Sequence, residues 1–304
     1  MATRLVHLVA DAADPSGLAR FWAQALGWQV AAEEPGEVVV WPPGYDYPDP
    51  AALPLVFVPV PEPKTGKNRV HLDLASSSAA DQAATVRRLL SLGATPADIG
   101  QGEVPWVVLA DPEGNEFCVL DPRPVYTGTG PVAAVVADSA DPRAQARFWG
   151  QAAAWAPQHE GAGFASLRSP SGVGPFLEFV PTPDGKTVKN RIHLDVRPYP
   201  GGDHLAEATR LRRVLRPHPT LNRNPRGTPY RQTAAEGAIM TIEIAVPDDW
   251  TPGQVLAMRQ LLQHAVATAQ PVVAFVRKDI APDELTEIYE RINALVQQAG
   301  LQPA

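Results

Sequence analysis

Two histidines each stand two residues ahead of an aspartate, in stretches that are nearly copies: Lys67-Asn68-Arg69-Val70-His71-Leu72-Asp73-Leu74 and Lys189-Asn190-Arg191-Ile192-His193-Leu194-Asp195-Val196. Apolar and polar residues alternate through the second half of each, the period of a half-buried strand, so imidazole and carboxylate share one face. An imidazole so placed can donate to the aspartate or to a backbone carbonyl, or it can serve as a ligand. His7 lies in a third apolar run, Leu5-Val6-His7-Leu8-Val9, and is open to the same two readings. Glu178, within Phe176-Leu177-Glu178-Phe179-Val180, and Glu243, between Ile242 and Ile244, are carboxylates with apolar neighbours on both sides. A charge there is costly unless its side of the sheet is wet or meets a cation, which points either to function or to a salt bridge from Arg191 or Lys189. Cys118, the sole cysteine, reads as a small buried apolar residue.

The elements that must carry these residues recur. Residues 4–10 read as a strand. Asp14-Pro15 then starts a helix, with a capping oxygen followed by a residue of preset φ, and the stripe Leu18, Phe21, Trp22, Ala25, Leu26 stops at Gly27. Strands at 37–41 and 53–60 follow. The same order returns with the His71 strand, a helix over 79–92, and strands at 104–110 and 115–120 joined by the turn Asp111-Pro112-Glu113-Gly114. A third unit opens near Val132, where Asp141-Pro142 and Phe148-Trp149 repeat the first helix. The fourth begins at the His193 strand, has a helix at 205–215, passes through a polar, proline-rich stretch at 216–231, and closes with a strand at 240–246. Such internal repetition marks duplication. Beyond it, residues 252–268 and 282–298 read as helices flanking a strand at 271–277. This extension suits packing or homodimerisation. Lys64, Lys67 and Arg69, repeated as Lys186, Lys189 and Arg191, read as a solvated connection.

The chain has 304 residues and a formal charge of −7, which argues against a general nucleic-acid binder, since that role needs a basic face. No apolar run is long enough for a bilayer, no signal peptide is evident, and one cysteine allows no internal disulfide. A cytoplasmic protein without membrane partners is the expectation.

Four βαβββ units, the Asp-Pro-capped helix with Ala19-Arg20-Phe21-Trp22 and Leu26-Gly27-Trp28, and the hairpin Leu109-Ala110-Asp111-Pro112-Glu113-Gly114-Asn115-Glu116-Phe117 together resemble the vicinal oxygen chelate superfamily. The chain is most similar there to glyoxalase-like and bleomycin-resistance-like proteins. The resemblance implies an α+β fold of two glyoxalase-like domains, 1–124 and 130–248, with open, cup-shaped sheets, followed by a small α/β extension at 249–304. It also implies a divalent metal on the cup floor, held from the first and last strands of each unit. Those positions carry His7, His71, Ala134 and His193 on the first strands, and Val56, Cys118, Glu178 and Glu243 on the last. Val56 and Ala134 cannot ligate, and Cys118 replaces a carboxylate.

Two pairings are open. Each domain could close on its own units, grouping His7, His71 and Cys118 apart from Glu178, His193 and Glu243. If units exchange instead, His7 joins His193 and Glu243, while His71 joins Glu178 and Cys118. Imidazoles with a carboxylate suit Fe, Mn, Ni or Zn, with Glu178 and Glu243 as candidate catalytic groups in a metal-assisted lyase, isomerase or dioxygenase acting on a small oxygenated molecule. The other expectation is a metal-free cup that binds a small molecule or antibiotic. Phe21, Trp22, Trp28, Phe148, Trp149 and Trp155 repeat at helical spacing and read as core. Trp41, Tyr45, Tyr47 and Trp106 fall at the expected rims, where they could stack on a flat ligand.

Overall fold

The computed structural model describes residues 3–214, apart from 35, 162, 201 and 203, together with the backbone of 242–244 and 274–276. The first unit runs β1 (Thr3–Ala12), α1 (Pro15–Leu26), β2 (Gln29–Glu34), β3 (Glu37–Trp41) and β4 (Leu55–Pro59). The second runs β5 (Val70–Leu74), α2 (Ala79–Ser91), β6 (Thr95–Pro96), β7 (Val107–Ala110) and β8 (Glu116–Val119). The third has β9 (Val132–Ser139), α3 (Pro142–Ala153), β10 (Ala156–Glu160), β11 (Ala165–Arg168) and β12 (Phe176–Pro181), and the fourth opens with β13 (Ile192–Pro198) and α4 (His204–Val214).

The local signals act as the sequence leads one to expect. Asp14 and Asp141 accept from the amides of Gly17 and Ala144, each at 2.9 Å, and so cap α1 and α3. Gly27 ends α1 at φ 66°; at the matching place after α3 stands Ala154, which takes φ 56° without glycine's freedom. In the hairpin between β7 and β8, Asp111 Oδ1 accepts from the amides of Glu113 and Asn115, and Asp111 Oδ2 accepts from the indole of Trp22 on α1. Burial of Asp111 pushes its carboxyl above the usual range despite these donors.

The units exchange partners. One sheet has the order β13-β1-β4-β3-β2 and the other β10-β11-β12-β9-β5-β8-β7-β6, and neither is closed into a barrel. The first and fourth units are therefore joined through the antiparallel pair β1–β13, and the second and third through β5–β9. Core-facing residues of both sheets, such as Leu8, Leu55, Leu72, Val135, Leu177 and Leu194, merge with Trp22, Phe21 and Trp149 of the helices in one buried cluster. Burial of that apolar layer is what holds the two sheets together.

The repeated Lys-Asn-Arg segments are not the solvated connection that their composition suggests. Lys189 Nζ lies 2.7 Å from Asp11 Oδ2, and Arg191 donates to the carbonyls of Asp11 and Glu62. In the second sheet Lys67 Nζ lies 2.7 Å from Asp138 Oδ2, and Arg69 donates to the carbonyls of Asp138 and Asp184. The reason is the exchange itself, which brings the start of β13 against the end of β1 and the start of β5 against the end of β9. Each cationic segment thus pins a strand from one half of the chain to a strand from the other.

A strand over Ile242–Ile244, β14, pairs in parallel with β15 (Ala274–Val276), at Glu243 opposite Phe275. Of the closing strand expected at 240–246, the described residues are Ile242–Ile244, and there β14 shares a two-stranded sheet with β15. The expected helices at 252–268 and 282–298, and the dimer contact assigned to them, lie outside the described residues. Among the described residues no helix is long and apolar enough to cross a membrane.

Candidate functional site

Because paired residues on neighbouring strands face the same way, the registers fix what each cup contains. In the second sheet His71, Val136 and Glu178 form one row across β5, β9 and β12. The next row is Cys118, Asp73, Ala134 and Phe176, across β8, β5, β9 and β12. In the first sheet the matching rows are His193, Val9, Val56 and Val39, then Asp195 and His7. The cups are related copies with complementary losses. Glu178 stands where the first cup has Val56, and His7 stands where the second has Ala134.

Among the described residues the second cup is the better equipped. Nitrogen, oxygen and sulfur atoms of His71, Asp73 and Cys118 all lie within 4.8 Å of one another, and His71 Nε2 is 3.4 Å from Asp73 Oδ1. That oxygen is buried and accepts no hydrogen bond. Burial, with the nearby Asp73 charge, pushes the Cys118 thiol far up.

Glu178 is 6% exposed. Its carboxyl is raised to about 7, first by burial and then by the Asp73 charge, against the lowering effects of Tyr126, Arg123 and His71. The Tyr126 hydroxyl donates to Glu178 Oε1 at 3.2 Å, and its ring meets Phe176 edge to face. Burial and the neighbouring Glu178 charge push the Tyr126 phenol up in turn, so it remains a donor. Arg123, paired with Asp121 at 2.7 Å, lies over the ring of Trp106, which packs on Val108, Cys118 and Leu120. The result is a half-apolar cup with two buried acids, Glu178 and Asp73.

In the first cup Val9, Val39, Val56 and Val58 make an apolar floor against which Trp41 packs. The His7 ring stacks on Tyr47 at 5.3 Å between centroids, and Tyr47 on Trp41 at 6.4 Å. His193 Nε2 is 3.7 Å from Asp195 Oδ1.

The expected site residues thus divide. His71 and Glu178 share the second cup with Cys118, and His7 and His193 share the first; Glu178 and His193 are on different sheets. Glu243 is on β14, and its side chain lies outside the described residues. Trp41 edges the first cup and Trp106 the second. Tyr45 sits beside Trp41 at 5.9 Å, with its hydroxyl on the carbonyls of Asp49 and Ala52. Tyr126 and Arg123 were not among the expected residues. They lie in and just before the short 3-10 turn Pro124–Tyr126 between the second and third units, which no repeat matches. An aromatic and a cation following a last strand were the only sequence signal.

The family described as Glyoxalase-like domain matches residues 7–120 and 134–215. Among solved structures, glyoxalase I from Zea mays is similar at 14% identity and a TM-score of 0.51, over 70% of this chain and 79% of that one. A putative dioxygenase from Bacillus subtilis is 15% identical at a TM-score of 0.47, covering 70% and 76%. A glyoxalase/bleomycin resistance protein from Albidiferax ferrireducens is 18% identical at 0.30, covering 39% and 98%. No curated protein sequence matches.

Proposed function

Since the chain belongs to the glyoxalase-like domain family of the vicinal oxygen chelate superfamily, we propose that its second cup carries out a proton-transfer reaction, an isomerase or lyase step, on a small oxygenated molecule. The observation that carries this reading is Glu178, a buried carboxyl raised to about 7 in an open cup. A group that gains and loses a proton near neutral pH is suited to general acid–base work. Tyr126, donating to it, steadies the charged form and fixes its direction. Phe176, Val136 and the ring of Tyr126 exclude water around it, which strengthens every electrostatic contact with a bound molecule.

The donor set of the cup fits a divalent ion. One imidazole, one thiol and one carboxylate oxygen without a hydrogen bond lie close enough that a small inward turn would bring them to the usual ligand distances of about 2.0–2.3 Å. His71, Asp73 and Cys118 would hold it, and the sulfur favours Zn among the candidates Fe, Mn, Ni and Zn. Such an ion, when bound, supplies a Lewis acid for a developing oxyanion. Among the described residues the cup offers one histidine and not two, which favours isomerase or lyase chemistry over an oxygenase built on two histidines and a carboxylate.

The test is exchange of the proton α to a carbonyl. Small 2-oxoaldehydes and α-hydroxyketones are incubated with the protein in deuterated buffer, and loss of the C–H signal is followed by NMR. Accelerated exchange that falls about 10²–10⁴-fold in Glu178→Gln is expected; exchange indifferent to that change would refute the reading.

A second reading, a metal-free cup that binds a flat small molecule or antibiotic, is favoured by the first sheet, where Val56 replaces the acid and His7, Tyr47 and Trp41 form a stack. It expects ligand binding that Tyr47→Ala weakens and Glu178→Gln leaves alone.

A further inference from the structure

A cavity of about 400 Å³ lies on the opposite side of the strands from both cups, in the layer between the two sheets. Its inner wall is Leu8, Leu55, Leu72 and Val135, whose sequence neighbours His7, Val56, His71 and Val136 face the cups. We infer that this cavity is a separate binding site, for a small and mainly apolar molecule that carries an amine at one end.

The volume is within the range of about 300–1,000 Å³ typical of small-molecule pockets, and a lining dominated by aliphatic side chains holds apolar molecules in preference to water. The outer wall is the loop from residue 42 to residue 53, which supplies Tyr45, Asp46, Asp49 and Ala52. That loop is seated closely on the third unit: a Cβ built at Gly174, where φ is 80°, would come within 2.0 Å of the Pro50 carbonyl oxygen. Two halves of the chain thus enclose the space.

The polar groups at the wall give the character of the occupant's end. The hydroxyls of Tyr45 and Thr129 are already spent on backbone carbonyls, of Asp49 and Ala52 and of Tyr126 and Gly130. Asp49 Oδ1 accepts from the Ala51 amide. Among the described residues no lysine or arginine lies within ion-pair distance of Asp46 or Asp49, and Arg4, whose charge reaches the Tyr45 phenol, sits over the Tyr199 ring. Asp46 and Asp49 are exposed at the mouth of the cavity, where they favour a cationic head group over an anionic one; the carboxylates bias only that end, while the cavity provides the site.

The experiment uses the full chain and the neutral dye N-phenyl-1-naphthylamine, read by fluorescence and then displaced with octylamine, octanol or octanoate at pH 7. Binding of about one dye per chain is expected, with octylamine at least tenfold more effective than octanoate, and this preference disappears when Asp46→Asn and Asp49→Asn are combined. Val135→Phe and Ala52→Phe, which fill the cavity from opposite walls, each weaken dye binding at least tenfold, whereas Val136→Phe, which fills the second cup, does not. Ala52→Phe alone decides if Val135→Phe fails to fold. Absence of dye binding, equal displacement by amine and carboxylate, or loss of binding in Val136→Phe with retention in Ala52→Phe would overturn the assignment.

Discussion

Asp11 and Lys189 meet at 2.7 Å across the seam between the first and last strands of the first sheet, and Asp138 and Lys67 meet at the same distance in the second. The Asp11 side chain is 4% exposed and Lys189 is 37% exposed, so Lys189→Met strands a carboxylate with little water to replace the ammonium. A loss of about 1–2 kcal/mol is expected, the size of a charge-assisted hydrogen bond discounted for the exposed partner. Denaturant unfolding measures it, and adding Asp11→Asn should recover part of the loss.

Glu178 makes stability depend on pH with a definite sign. Its carboxyl is raised from 4.5 to about 7, so the folded chain holds this proton where the unfolded chain has released it. The contribution is fully present below pH 4.5 and is lost as pH rises through 7, an effect on the order of 3 kcal/mol at about 1.4 kcal/mol per unit. Chelator-treated protein should show this decline in urea melts, and Glu178→Gln should flatten it.

Cys118 should give up its proton when an ion binds. Its thiol is pushed far above its ordinary value and is protonated at neutral pH, whereas a coordinating sulfur is a thiolate. Titration of chelated protein with Zn in weak buffer at pH 7 is expected to release about one proton per ion from this residue. Cys118→Ala should abolish that release and lower the affinity, and an unchanged release would remove Cys118 from the ligand set.

Ala154 takes a left-handed conformation at φ 56°, where Gly27 serves the first unit. A side chain there costs about 1–2 kcal/mol, offset in part by glycine's greater freedom when unfolded. Ala154→Gly should therefore raise stability by up to about 1 kcal/mol, seen as a higher melting temperature.

Gly174 has the opposite need. At φ 80° with the Pro50 carbonyl so near, Gly174→Ala must move the loop over residues 42–53. A loss of about 1–3 kcal/mol is expected, together with faster hydrogen exchange confined to that loop and to its contacts with the third unit.

Local features of this fold were legible because they are written in local chemistry. Asp14-Pro15, Asp141-Pro142, Gly27 and the Asp111–Gly114 turn each act through atoms within a few residues, and their caps and turns form as their spacing implies. Partner choice was not legible, because the four units present nearly the same alternation, and either pairing buries Val70, Leu72 and Leu74 equally well. The contacts from Lys67, Arg69, Lys189 and Arg191 do not break the tie, because their acceptors Asp11 and Asp138 are repeated as well. In the candidate site, His71 and Glu178 were marked as polar residues among apolar ones, whereas Cys118 read as a small buried apolar residue and stood out only through the ligand position that the family resemblance implies. Tyr126 was invisible, because a tyrosine in a linker carries no periodicity and gains meaning only when the turn Pro124–Tyr126 brings it over Glu178.

The pairing of β1 with β13 also bears on how the polypeptide is made. At about 5–20 residues per second, a ribosome would deliver Thr3–Ala12 on the order of ten seconds or more before Ile192–Pro198 arrives. Throughout that interval the amino-terminal strand has a raw hydrogen-bonding margin, an invitation to association with other nascent chains. Synthesis from start to finish is therefore also a wait for closure.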